Sequence, residues 1–178
     1  LLGDSITQGF GDPGRRITAT PGRAAFERVL VPLRAANLGI SGDRTQNVLW
    51  RVGNGELDGL APKVVVLSIG TNNLSAGDSP ADVVAGTRVI VAQIRAKLPR
   101  AQIVLLGVFP RGEKHDDPLR AKVEEVNRGV AALAHLRRVE FLDVGRVLLR
   151  GDGDADPQCF AGDFLHLQGA GYAAWAAA

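Results

Sequence analysis

Ser5 follows Gly3-Asp4 near the start of the chain, and His166 stands three residues after Asp163 near its end. A serine hydroxyl is a poor nucleophile until a base takes its proton. Imidazole does this near neutral pH, and a carboxylate on its other nitrogen fixes the tautomer and steadies the imidazolium. Asp163 and His166 are close enough in sequence to meet within one turn of chain. Acyl transfer further requires N–H donors aimed at the developing oxyanion, each worth about 10²- to 10³-fold in rate. The backbone amides of Ser5 and Gly42 and the side-chain amide of Asn72 are the candidates.

Each of these residues has a plainer reading when taken alone. Gly-Asp-Ser is an ordinary turn, Asn72-Asn73 are turn residues, Asp163 caps a helix, and His166 is a half-buried histidine between two leucines. Their joint appearance after successive strands carries the chemical reading. Other candidates are weaker. Asp152, Asp154 and Asp156 begin like a calcium loop, but Pro157 falls where glycine is needed and Asp163 where glutamate belongs. A solvated acidic turn is expected there, and no metal site. Cys159 reads as a packing residue, and His115 and His135 as surface residues. Trp50 and Trp175 read as helix packing, with Trp50 also a candidate for a dimer contact. Arg44 and Arg111, beside strand ends, are expected to touch substrate or to form surface ion pairs.

The elements that must position these residues alternate. Val64–Ile69, Ile103–Phe109 and Val139–Leu142 are short β-branched and apolar runs, read as buried strands. Between them, Val83, Val84, Thr87, Ile90, Val91, Ile94 and Leu98 repeat with helical period. That helix is signposted by Ser79, Pro80 and Asp82, a cap, a first-turn proline and a capping-box carboxylate. A second helix opens at Asp117-Pro118 and buries Leu119, Val123, Val126, Val130 and Leu133. An earlier one opens at Thr20-Pro21 and carries Phe26, Val29, Leu30 and Leu33. A short one spans about Thr45 to Val52, and Gln168 to Ala178 reads as a last helix. A truncated first strand precedes Gly3, and a second strand precedes Asn37. The alternation predicts parallel strands joined by right-handed crossovers, a three-layer α/β/α sandwich with its site beyond the carboxyl ends of the strands.

At 178 residues, 46% hydrophobic and 22% charged, the chain suits one globular domain spanning residues 1–178, with both ends reading as truncated. Twenty-one basic residues against 19 acidic ones, scattered rather than striped, argue against nucleic acid as a partner. No apolar run approaches the roughly 20 residues of a membrane helix. A single cysteine makes a cytoplasmic location the default, with a signal peptide upstream left open. Abundant alanine and arginine beside so few lysines suggest a bacterial source.

Gly3-Asp4-Ser5, Gly42, Asn72 and Asp163-x-x-His166 match, in order, the four blocks of the SGNH (GDSL) hydrolases, which the chain resembles over nearly its whole length. Within that family, Asn37–Leu57, Gly70–Asn73, Pro110-Arg111-Gly112, Pro118-Leu119-Arg120 and Leu165-His166-Leu167 look like the catalytic subunits of platelet-activating factor acetylhydrolase Ib. The resemblance implies a flavodoxin-like, five-stranded parallel sheet of order 2-1-3-4-5. It implies Ser5 as nucleophile, His166 as base, Asp163 as its orienter, and Ser5, Gly42 and Asn72 as the oxyanion hole. Ile6, Thr71 and Leu165 would shape an acyl pocket with room for little more than acetyl. No cofactor is implied, and a homodimer is. The segment Gly9 to Pro21 departs from the subunit pattern, which leaves the alcohol half of the substrate open among sugar, lipid and aryl acetates. The expected activity is metal-independent hydrolysis of a small acyl ester, chiefly acetyl. The alternatives are a thioesterase or lysophospholipase with a longer pocket, and a non-catalytic subunit keeping the fold.

Overall fold

The computed structural model describes residues 1–12 and 20–178. Five parallel strands, β1 (Leu2–Gly3), β2 (Leu38–Gly39), β3 (Val64–Ser68), β4 (Gln102–Leu106) and β5 (Val139–Leu142), form one sheet of order β2-β1-β3-β4-β5. The chain winds outward from β1 to β2, then crosses back to β3 on the other side. This reversal opens a crevice at the carboxyl ends of β1 and β3, where sites of open parallel sheets form.

Strand alternation sorts the core into two layers. Val65 and Leu67 of β3 and Ile103 and Leu105 of β4 face an aliphatic layer, covered by α3 (Thr45–Gly53), α5 (Pro80–Lys97) and α6 (Pro118–Ala131). Val66, Val104 and Leu106 face the opposite layer. Its core includes Ile6 of α1 (Ser5–Gln8), Ala25 of α2 (Arg23–Ala25), and Tyr172 and Trp175 of α7 (Gly169–Ala177), together with Phe10, Phe26, Phe109 and Phe160. The Trp175 ring lies 4.3 Å from Phe10 and meets Phe109 edge-on at 5.0 Å. A short α4 (Thr71–Ser75) follows β3 directly.

The helix signals hold where capping and period agree. Ser79 Oγ accepts from Asp82 N while Asp82 Oδ2 accepts from Ser79 N, and Val83, Thr87, Ile90, Val91 and Ile94 are buried. Asp117 Oδ1 accepts from Leu119 N at the start of α6. Four expectations are corrected. The helix expected from Thr20-Pro21 is only α2 followed by a π-turn, Phe26–Leu30, and Leu33 is 71% exposed. Pro32 has no N–H to offer the Arg28 carbonyl, so an α-helical ladder cannot continue through it. Strand β4 stops at Leu106 rather than at Phe109, because the Asn127 side chain, not a neighbouring strand, takes both backbone groups of Val108. Leu38-Gly39, expected just beyond a strand, is itself β2. Trp50 lies on the outer face of α3, 66% exposed. Of the segment that departs from the subunit pattern, residues 13–19 lie outside the described residues. Among the described residues no helix is long and apolar enough to cross a membrane.

Candidate active site

Ser5 is the first residue of α1. The Asp4 carboxylate before it accepts a hydrogen bond from Ile6 N at 3.0 Å and caps that helix. From the other end of the chain, His166 Nε2 comes within 3.0 Å of Ser5 Oγ. His166 Nδ1 lies 2.6 Å from Asp163 Oδ2, while Asp163 Oδ1 accepts from the backbone amides of Leu165 and His166. One carboxylate thus holds both the ring and the turn that carries it. Desolvation pushes the Asp163 carboxyl upward, but the hydrogen bonds from the His166 ring and the two amides outweigh it and bring it to about 2. The imidazole therefore sits between an ionised carboxylate and a hydroxyl, the arrangement in which its Nε2 is the free acceptor.

The expected oxyanion donors lie on the two neighbouring loops. Gly42 has φ +83° in the turn after β2, a conformation that side chains resist. Asn72, half-buried on α4, donates from Nδ2 to the Asp43 carbonyl at 2.9 Å, which couples α4 to the Gly42 turn. Its second N–H makes no hydrogen bond among the described residues. Of the expected acyl-pocket residues, Ile6 is buried in the aromatic-side core and Leu165 packs against that core. Thr71, also buried, starts α4.

Several residues have supporting roles that the sequence reading did not assign. Arg51, 8% exposed, donates from Nε and Nη2 to Asp43 Oδ2 and from Nη1 to Glu56, so a buried ion pair braces the Gly42-Asp43 turn. Asn73 accepts from Thr45 N and donates to Thr45 Oγ1, Gln46 and Asp78, joining α4 to the start of α3. The Tyr172 hydroxyl donates to the Ile6 carbonyl at 2.8 Å, tying α7 to the serine-bearing turn. Arg51 stands eight positions after Asp43, a spacing that carries no recognisable motif. Asp4 is 2% exposed, and desolvation raises its carboxyl to about 6 against the opposing pull of the Ile6 amide and the nearby His166.

The acidic turn is a further correction. Asp154 is 6% exposed rather than solvated, and accepts from Lys114, from His115 N and Nδ1, and from Arg150. Among the described residues no group of three or more His, Cys, Asp or Glu could hold a metal ion. Cys159 is buried in the aromatic-side core, and burial raises its thiol, as befits a packing residue. Neither Arg44 nor Arg111 forms an ion pair among the described residues. Arg111 Nη1 instead donates to Thr71 O, Thr71 Oγ1 and Ser75 Oγ.

A five-stranded parallel sheet with this hydroxyl–imidazole–carboxylate chain at its switch point defines an acylhydrolase class, and the family model for GDSL-like lipases and acylhydrolases matches residues 1–174. The chain belongs to that family. It is 44% identical over 148 residues to the human platelet-activating factor acetylhydrolase IB subunit alpha1, an alignment covering 83% of this chain and 62% of that subunit. The chain thus spans less than two thirds of the length of that relative. A GDSL-like lipase from Bacteroides thetaiotaomicron has the same fold, with TM-score 0.76, 20% identity, and coverage of 99% of this chain and 82% of that one. So does a variant of an acetyl-xylooligosaccharide esterase from Geobacillus, with TM-score 0.73, 22% identity, and coverage of 99% and 89%.

Proposed function

We propose that this chain is a serine esterase that hydrolyses short-chain, chiefly acetyl, esters through an acyl-Ser5 intermediate. The observation that carries the reading is the hydrogen-bonded chain from Ser5 Oγ through His166 to Asp163, assembled from the two ends of the sequence. In this mechanism His166 Nε2 takes the Ser5 proton as Oγ attacks the ester carbonyl, and Asp163 stabilises the imidazolium without itself taking the proton. The amides of Ser5 and Gly42 and the free N–H of Asn72 receive the oxyanion. The imidazolium then protonates the leaving alkoxide, and a water activated by the same nitrogen releases the acid. The acyl group passes from the alcohol to Ser5 and then to water, each transfer assisted by proton movement through His166 and by the oxyanion donors, and the mechanism uses no metal or cofactor.

The acetyl preference is supported by the resemblance, which puts Ile6, Thr71 and Leu165 at the acyl end of the site, and by the acetylhydrolase relative. The alcohol is an acetylated sugar, lipid or aryl group, and a panel of the three distinguishes them. Ser5→Ala should lower p-nitrophenyl acetate hydrolysis by about 10⁶-fold in kcat while the circular dichroism stays unchanged. Activity should drop steeply from acetyl to octanoyl esters. A Ser5→Ala variant as active as the wild type would end the esterase reading, and a flat chain-length profile would end the pocket assignment alone.

A further inference from the structure

The motifs Pro110-Arg111-Gly112 and Pro118-Leu119-Arg120 stand out in the sequence, yet the proposed chemistry uses neither. In the fold they meet. Arg120, 8% exposed at the start of α6, points its guanidinium at three backbone carbonyls: Nε donates to Arg111 O at 2.6 Å, Nη2 to Gly112 O at 3.2 Å and Nη1 to Gly153 O at 3.3 Å. The peptide held this way reaches the site in two directions. Arg111 Nη1 grips α4 at Thr71 O, Thr71 Oγ1 and Ser75 Oγ, and Gly112 N donates to the Phe164 carbonyl at 3.2 Å.

Phe164 is the telling residue. It lies between Asp163 and His166 with φ +47°, a left-handed conformation that a bulky side chain adopts only when its surroundings hold it there. That turn allows one carboxylate to meet the Leu165 and His166 amides and the imidazole together. Gly112 itself has φ +79°, and the Asp117 side chain occupies the place where a Cβ would stand, so only glycine brings this amide to the Phe164 carbonyl. Asp154 anchors the following residues through Lys114 and His115, and Ala155 N bonds Glu113 O.

We propose that Arg111 and Arg120 are positioning residues that register two parts of the site against each other: α4, which carries Thr71 and Asn72, and the Asp163–His166 turn. The proposal rests on the esterase reading and extends it to residues that touch no substrate. Arginine suits position 120 because its planar fork reaches three carbonyls at fixed angles, which a lysine ammonium does not, whereas Arg111 bonds one carbonyl and two hydroxyls through Nη1 alone. Misplacing a catalytic group by about 1 Å costs up to roughly 10²-fold in rate, so loss of this register should be felt in turnover.

The test measures steady-state hydrolysis of p-nitrophenyl acetate by the full chain, with active sites counted by fluorophosphonate labelling and folding checked by thermal melting. Arg111→Gln, on a half-exposed side chain, should lower kcat about tenfold with KM changed less than about twofold, and Arg111→Lys should recover part of the loss. Arg120→Lys, where it folds, should give the same kcat-selective defect. A folded Arg111→Gln variant with wild-type kcat overturns the proposal. So does a loss confined to KM, which would make Arg111 a substrate contact, or an Arg111→Lys variant no better than Gln. Ser5→Ala runs alongside: if it retains activity, the esterase reading and this proposal fall together, whereas an inert Ser5→Ala beside an unimpaired Arg111→Gln removes the proposal only.

Discussion

The two layers on either side of the sheet are built by different means. The aliphatic layer is made of long amphipathic helices whose valines and isoleucines repeat with helical period, and among its buried residues stand Val48, Val83, Ile90, Ile94 and Ile103, each 0% exposed. The aromatic layer is made of short turns, a π-turn and the last helix, fastened by ring contacts and by single hydrogen bonds such as Tyr172 to Ile6 O. Ser5 and His166 both belong to segments that enter this second layer. The first layer therefore draws on burial along continuous helix faces, while the second must hold two distant segments in register.

The largest effect is expected at the polar exception on the helical side. Arg51→Met leaves Asp43 charged and buried without its partner, and should cost about 4 kcal/mol in urea unfolding, with kcat also reduced because the Gly42 turn loses its brace. Glu56 loses the same partner, so an unchanged midpoint would mean that solvent or protonation of the two carboxyls makes up for the lost cation. Next, Ile90→Ala in the aliphatic layer should cost about 3 kcal/mol through lost burial and the cavity left behind, yet leave kcat of the folded enzyme unaltered. A parallel fall in kcat would erase the contrast between the layers.

Asp4 gives a pH signature from the serine side. Its carboxyl ionises near 3.8 when unfolded and at about 6 when folded, so between these values the folded state holds the extra proton. Stability should decline as pH rises through that window and level off above it, by roughly 2–3 kcal/mol at most. Asp4→Asn, which keeps a capping oxygen, should flatten the decline measured by urea unfolding at pH 4 to 7. An identical slope in both proteins would assign the titration elsewhere. Asp163 behaves oppositely: its depressed pKa supports stability above about pH 4, which is lost only as pH falls through about 2. The smallest change is expected for Tyr172→Phe, about 1 kcal/mol of stability. Its kcat should nonetheless fall several-fold, since the serine turn loses its tie to α7. A stability loss with full turnover would make the tyrosine a packing residue only.

How much was legible in the sequence follows the same division. The starts of α5 and α6 were readable because Ser79, Asp82 and Asp117 act within their own turns, although Leu133, expected in α6, lies in a 3-10 turn after it, and β5 matched residue for residue. On the aromatic side, Phe26 to Leu33 has a helical pattern but a proline four residues after Arg28, and β1 and β2 are two residues each, too short for any period to register. The chemical groups at the candidate site were legible by type and order. The roles of their supports were not: Arg51, Asn73 and Arg120 lay in segments that carry the family resemblance and Tyr172 outside them, but each acts on a partner beyond the reach of any local pattern.

By itself, the sequence determined which functional groups are present, the order in which strands deliver them, and where the capped helices begin, since these depend on neighbours within a few residues. Tertiary structure alone decided that Asp154 is buried among cations, that Trp50 faces outward, and that a left-handed Phe164 turns the His166 loop toward Ser5. These outcomes depend on which distant carbonyls and charges share a low-dielectric interior, and only the closed fold sets that.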